Sequence, residues 1–261
     1  MQKIYKYPRT YHLEGSGIQR GDEDLSVMPV HRLAGRQVVI EEKMDGANSA
    51  LSFSDAGQLL LQSRGHYLTG GPREKQFHFF KNWAYRYVSE LWEVLGTRYI
   101  VYGEWLYAKH TVFYTNLPHY FMEFDVYDKE QDVFLSTERR REFLAALPFI
   151  VSVKVLDEGQ VRNVQQLIDM IGLSQCIAED HLERLRVLCQ EKGLNVAQMF
   201  KETDASNLME GLYLKVEEDG IVKERYKYVR QSFLQTVFDS ETHWLDRPLV
   251  PNCLKPGTLL F

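Results

Sequence analysis

In Val38-Val39-Ile40-Glu41-Glu42-Lys43-Met44-Asp45-Gly46-Ala47-Asn48 an apolar run delivers a lysine to a turn. The run predicts a buried strand ending at Lys43, and Asp45-Gly46 then turns the chain into a second strand over Ser49–Ser54. A strand terminus is a rigid mount, so Lys43 is held in place. Its nitrogen is a cation at pH 7 and becomes a nucleophile only where desolvation or neighbouring positive charge lowers its pKa. A lysine before Asp-Gly equally fits the solvated end of a hairpin, so the choice rests on what the other strand ends carry.

Downstream, Gln58–Gln62 makes another strand ending in Ser63-Arg64-Gly65, which sets Arg64 beside a glycine that admits a close ligand or backbone. Phe77, Phe80, Trp83, Ala84, Tyr87, Val88, Leu91, Trp92 and Leu95 recur at helical spacing over Arg73–Leu95 and are core residues. Tyr99–Tyr102 leads as a strand into Gly103-Glu104-Trp105. In Tyr120–Tyr127 alternation predicts Phe121, Glu123, Asp125 and Tyr127 on one side and Met122, Phe124 and Val126 on the other. After a short strand, Val133–Leu135, Thr137 caps a helix over Glu138–Leu147 whose Glu138-Arg139-Arg140-Arg141 run reads as a solvated face. Two or three helices follow between Asp157 and Asn207. The last strands, Glu210–Val216 and Ile221–Val229, are joined by a turn at Glu217-Glu218-Asp219-Gly220, and the second carries Arg225 and Lys227 on one face. Residues 1–36 read as an irregular lead-in, and Ser232–Phe261 as a short helix with a proline-punctuated tail.

With 261 residues, 44% of them apolar, the chain can bury a sizeable core. Its net charge of -5 makes the whole-molecule field weakly repulsive to nucleic acid, so any such contact needs a local basic groove. Cys176, Cys189 and Cys253 are too few and too scattered for a disulfide framework or a zinc site and read as reduced thiols. The eight histidines lack metal-ligand spacing. No signal-peptide core or membrane-length apolar run is present, which predicts a soluble cytoplasmic protein with no membrane partner.

Lys43, Arg64, Glu104, Phe124, Glu210, Arg225 and Lys227 thus follow one another on or at the ends of strands. In that order they resemble the covalent nucleotidyltransferase superfamily of ATP-dependent ligases and RNA capping enzymes. Lys43-Met44-Asp45-Gly46-Ala47-Asn48 is similar to its KxDGxN nucleophile motif, and Ser63-Arg64-Gly65, Tyr102-Gly103-Glu104-Trp105 and Phe121-Met122-Glu123-Phe124-Asp125 are similar to its next three. Glu210-Gly211-Leu212-Tyr213-Leu214-Lys215 and Arg225-Tyr226-Lys227 complete the series. The EGxxLK form and the Phe-Asp pair resemble the RNA ligase 2 type, as do Lys6-Tyr7-Pro8 and His12-Leu13-Glu14. Two features depart from the pattern: Arg225 stands where the family has a lysine, and too few residues follow Arg230 for an OB-fold domain.

The resemblance implies an α+β nucleotidyltransferase fold, ATP-grasp-like, with antiparallel sheets flanked by helices and no C-terminal OB domain. It implies an adenylyltransferase domain over residues 1–232, a helical insertion at about 157–207 and a short extension at 233–261. It further implies an ATP-dependent RNA ligase that joins 5′-phosphate and 3′-hydroxyl ends through AMP bound covalently to Lys43, in RNA repair. Lys43, Lys227, Arg225 and Asp45 are the implied catalytic residues. Arg225 and Lys227 would depress the Lys43 pKa, and Asp45 would orient metal or ribose. The nucleotide is expected to contact Glu42, Asn48, Arg64, Glu104, Phe124, Glu210, Arg225 and Lys227, with Phe124 stacked on adenine. Mg²⁺, or Mn²⁺, is expected at Glu104 and Glu210. RNA ends are the implied partners, in nicked duplex RNA or a DNA–RNA hybrid, with a partner protein in place of the OB domain. A DNA ligase, a capping-type nucleotidyltransferase and a catalytically idle nucleic-acid-binding module remain the alternatives.

Overall fold

Alternating and continuous apolar runs build a 12-stranded sheet in the computed structural model, which describes residues 3–18, 21–240 and 247–261. The strands are β1 (Tyr11–Leu13), β2 (Val27–Met28), β3 (Val38–Lys43), β4 (Ala47–Phe53), β5 (Leu59–Ser63), β6 (Tyr99–Trp105), β7 (Phe121–Asp128), β8 (Val133–Leu135), β9 (Val151–Ser152), β10 (Val155–Gly159), β11 (Gly211–Glu218) and β12 (Ile221–Val229). The helices are α1 (His78–Arg86), α2 (Val88–Leu95), α3 (Thr137–Leu144), α4 (Val164–Met170), α5 (His181–Glu191), α6 (Val196–Lys201) and α7 (Gln231–Asp239). Among the described residues no helix is long and apolar enough to cross a membrane.

β3 and β4 are consecutive in sequence yet six places apart in the sheet order β10-β3-β11-β12-β8-β7-β6-β4-β5. Laid flat, six strand spacings would span about 29 Å, whereas the four Cα steps from Lys43 to Ala47 reach at most about 15 Å. The sheet therefore folds over on itself, and the expected turn at Asp45-Gly46 is a crossing between two halves of the sheet. The narrow joint between the halves is β8, which meets β12 and β7 through two residue pairs each.

Each half buries one face in its own core. β3, β11 and β12 bury Val38, Ile40, Leu212, Leu214, Val216, Tyr226 and Tyr228 with Leu167 of α4. β4, β6 and β7 bury Leu51, Phe53, Val101, Trp105, Phe121 and Val126 beneath Phe80, Trp83, Leu91 and Leu95 of α1 and α2. The register of β3, β11 and β12 puts Lys43, Glu41, Tyr213, Lys215, Arg225 and Lys227 on the opposite, shared face.

Several local expectations change. The helix over Arg73–Leu95 is a 3-10 turn followed by two helices that break at Tyr87. The even alternation along β7 fails because Tyr102 pairs with Asp125 and Gly103 with Glu123, which leaves Phe124 as the extra residue of a bulge. α3 is capped by Ser136 rather than Thr137, and Arg140 is buried rather than solvated. The stretch from Asp157 opens with the end of β10 before its three helices. The lead-in is not irregular filler: β1 pairs with β12, and Tyr7 is buried against Tyr102, Phe124 and Phe134. The 217–220 turn has positive φ at Asp219 (53°) and Gly220 (73°), the twist a two-residue hairpin needs. Of the C-terminal tail, residues 241–246 lie outside the described residues.

Candidate active site

Lys43 closes β3, and its neighbour in register is Gly211, the first residue of β11. A side chain at Gly211 would place its Cβ 2.0 Å from the Tyr228 carbonyl oxygen, so glycine alone lets β11 lie against β12 here. Glu210, just before it, is thereby fixed beside the lysine, with Lys43 Nζ donating to Glu210 Oε1 at 2.6 Å. Burial works to lower the Lys43 pKa, but the charge and hydrogen bond of Glu210, with Glu104 and Asp45 behind, raise it overall. Lys43 is thus held as an ammonium by these carboxylates, rather than depressed to an amine by nearby cations as expected. Burial pushes Glu210 up to about 7 against the pull of Lys43. Glu104 is pushed up to about 8, mainly by burial, with Glu210 and Asp45 adding to the shift and Lys43 and Arg64 opposing it.

Gly46 sits against β6, where a Cβ would lie 2.8 Å from the Trp105 carbonyl oxygen and 2.9 Å from Glu104 Cγ. Such contact holds the crossing close to Glu104. Asp45 is anchored in the same place: its Oδ2 accepts from the Thr111 and Val112 amides, each at 2.7 Å, and its own amide donates to the Tyr114 hydroxyl at 2.9 Å. Asn48 is in register with Glu104 across β4 and β6. Arg64 is exposed just beyond β5, makes no ion pair among the described residues, and is close enough to Glu104 to lower its pKa. Phe124, half-buried on its bulge, sets its ring 5.1 Å from Tyr7 and 6.1 Å from Tyr213.

Two expected nucleotide contacts lie elsewhere. Strand alternation turns Glu42 away from Lys43, to the other side of β3, where its Oε1 accepts from Ser174 Oγ at 2.5 Å and burial raises its pKa. Arg225 lies opposite Lys215, which lies opposite Val39, four residues short of Lys43. Its Nε donates to Asp125 Oδ2 at 3.1 Å, and its guanidinium stacks 3.7 Å from the Phe134 ring centre. Among the described residues, a second cation near Lys43 is instead Lys227, which donates to Asp22.

Sequence reasoning missed the buried ionic layer under this site. Arg140 and Lys215 both donate to the carbonyl oxygen of Phe124. Arg140 also reaches Glu41 at 2.5 Å and Glu123 at 3.4 Å, and Lys215 reaches Glu41 at 2.9 Å and Asp125 at 3.2 Å. Three cations, counting Arg225, thus balance three carboxylates, and together they fix the bulge that presents Phe124. Lys215, Asp125 and Arg225 carried a signal, as parts of the EGxxLK, Phe-Asp and last-motif matches, but Arg140 did not; its partners come from strands that its own helix does not adjoin in sequence.

No group of three or more His, Cys, Asp or Glu side chains placed to hold a metal is present among the described residues. Glu104 and Glu210 are nonetheless a fitting donor pair. They are hard oxygen ligands, Glu210 buried and Glu104 half-buried, and Glu210 is close enough to Glu104 to raise its pKa; Mg²⁺ or Mn²⁺ is commonly held by one or two carboxylates completed by water and substrate phosphate.

This fold is that of solved RNA ligases. Naegleria gruberi RNA ligase with pyrophosphate matches with a TM-score of 0.55 at 18% identity, over 80% of this chain and 54% of that one. Mutants of the same ligase with ATP and Mn, or with AMP and Mn, match with TM-scores of 0.54 and 0.53 at 17% identity and the same coverage. The chain spans about half the length of these solved ligases. No curated protein matches the sequence. Residues 36–229 match the RNA ligase family, to which the chain belongs.

Proposed function

We propose that the chain is an ATP-dependent RNA ligase that joins 5′-phosphate to 3′-hydroxyl ends in RNA repair, with Lys43 as the residue that carries AMP. The observation behind this reading is the contact of Lys43 with Glu210 at the mouth of the folded sheet, with Glu104, Asp45 and Lys227 converging on it. The Naegleria ligase binds ATP, AMP and Mn in its solved forms, which supports a nucleotide and a divalent metal here.

In the first step neutral Lys43 attacks the α-phosphorus of ATP. The N–P bond forms as the bond to pyrophosphate breaks. Glu104 and Glu210 would hold Mg²⁺ or Mn²⁺, which supplies positive charge against the phosphate oxygens. Carboxylates engaged in holding such an ion would no longer keep Lys43 protonated, and burial, with Lys227 beside it, would then favour the amine. Phe124 offers its face to adenine, and the buried ionic layer keeps it from moving. Asn48, in register with Glu104, contacts the ribose. Asp45 acts by fixing the crossing, because its Oδ2 is already committed to two backbone amides.

In the second step AMP passes from Lys43 to a 5′-phosphate, which the exposed guanidinium of Arg64 is placed to grip with paired hydrogen bonds. In the third the 3′-hydroxyl attacks that phosphate and AMP leaves. Incubation with ATP labelled on the α-phosphate and Mg²⁺ should label the wild type on a denaturing gel and leave Lys43→Ala unlabelled, while nicked RNA should be sealed in preference to nicked DNA. An unlabelled wild type whose intact mass shows no AMP already bound would overturn the reading.

A further inference from the structure

Among the described residues, the Lys227 ammonium is a cation beside Lys43 that belongs to neither the buried ionic layer nor the strand ends exposed to solvent. Its register partner on β1 is His12, and its Nζ donates to Asp22, a residue of the lead-in. Asp22 is itself held from two sides. Arg9 reaches its Oδ1 at 3.2 Å, and His12 Nε2 lies 3.3 Å from its Oδ2. His12 is fully buried and is held in turn by Ser16, whose hydroxyl lies 2.9 Å from its Nδ1 and also accepts from the Val229 amide on β12. A continuous set of contacts therefore runs from β12 through Ser16 and His12 to Asp22 and back to β12 at Lys227.

We propose that Asp22 is a positioning residue for nucleotidyl transfer: its anchored carboxylate keeps the Lys227 ammonium charged and aimed at the phosphate that Lys43 attacks. This rests on the ligase reading above. The groups that face Lys227 are Asp22, with Arg9 and His12 behind it, together with Lys43 at the end of β3 and Glu210 before β11. Burial and the charge of Lys43 lower the Lys227 pKa, and Asp22, with a smaller share from Glu210, opposes them. Without that carboxylate the ammonium would stand desolvated next to a second cation. An ammonium has three protons to give, so the one spent on Asp22 fixes its direction and leaves two for phosphate oxygens.

The test follows the rate of Lys43 labelling by ATP in single turnovers of the whole protein between pH 6.5 and 9.5, for the wild type, Asp22→Asn and Asp22→Glu. Alongside, the side-chain carbon resonance of Lys227, assigned by its loss in Lys227→Arg, is titrated in the wild type and Asp22→Asn. Asp22→Asn should label within about threefold of the wild type at pH 6.5 and fall at least tenfold behind by pH 9, which corresponds to a midpoint shift of about one unit or more. Asp22→Glu should restore most of the alkaline rate. The Lys227 resonance should titrate at least one unit lower in Asp22→Asn. An equal loss at every pH, or no loss, together with an unmoved Lys227 midpoint, would overturn the proposal. Absence of label on the wild type overturns the ligase reading and the catalytic part of this one, whereas the Lys227 midpoint decides by itself whether Asp22 sets that charge.

Discussion

Glu104 carries a cost that follows from its position. A carboxyl whose pKa rises from 4.5 in the unfolded chain to about 8 in the folded one binds more protons when folded throughout that interval. Stability is therefore greatest below pH 4.5 with respect to this group and declines as the pH rises towards 8. Glu210 contributes in the same direction up to about 7. Replacing Glu104 with glutamine removes the charge that burial opposes, so Glu104→Gln should melt at about the wild-type temperature at pH 4.5 and higher at pH 8. A difference of a few kcal/mol corresponds to roughly 5–10 °C in a chain of this size. The same variant should lose nucleotidyl transfer on the proposed reading, the usual exchange of stability for function where a charge is held out of water. Thermal melts at the two pH values decide the matter; a gap that shrinks with rising pH would refute the sign.

The helix α3 shows how far one element can differ along its length. Arg140 is buried between Glu41 and Glu123, whereas Arg141 pairs with Glu158 in the open. Breaking a buried pair leaves a carboxylate without compensation, at a cost of about 3–5 kcal/mol, while an exposed pair contributes about 0–1 kcal/mol. Arg140→Met should accordingly lower the midpoint of urea unfolding sharply, and Arg141→Ala should leave it almost unchanged. The sequence shows three arginines in a row and nothing to separate them. What was legible was what repeats locally: the apolar strands and the helical stripe over Phe77–Leu95, although Trp92, expected in the core, is exposed. Lys43, Glu104 and Glu210 could be listed in order from those cues and do come together. Arg225 and Glu42 were placed with them by motif alone, and strand register sends both elsewhere. Asp22, Tyr7 and Arg140 act across gaps of about a hundred residues or more, and no local period encodes such partners. The bulge at Phe124 was hidden for the same reason, since its cause is the carbonyl grip of Arg140 and Lys215.

At the level of the whole molecule, a net charge of -5 gives RNA no general attraction, so binding has to be local and should weaken with salt through few phosphate contacts. The fold also sets an order in time. Lys43 and Glu210 are 167 residues apart in sequence, and the crossing at Met44-Asp45-Gly46 has its shape only when both halves of the sheet exist. During synthesis at about 5–20 residues per second, Lys43 is added to the chain roughly 8–30 s before its partner carboxylate. For that interval the lysine is a solvated ammonium without its partner, and on the proposed reading the growing chain could not yet spend ATP or attach AMP to itself. Ribosome-bound chains of increasing length, offered labelled ATP, should therefore stay unlabelled until β12 has cleared the exit tunnel and then take label in a single step. A gradual onset, or label on a chain that stops before Glu210, would mean that the reactive lysine is assembled from nearer residues. If Lys43 carries AMP as proposed, the folded-over sheet acts as a clock as well as a scaffold, keeping that lysine chemically silent until β12 arrives.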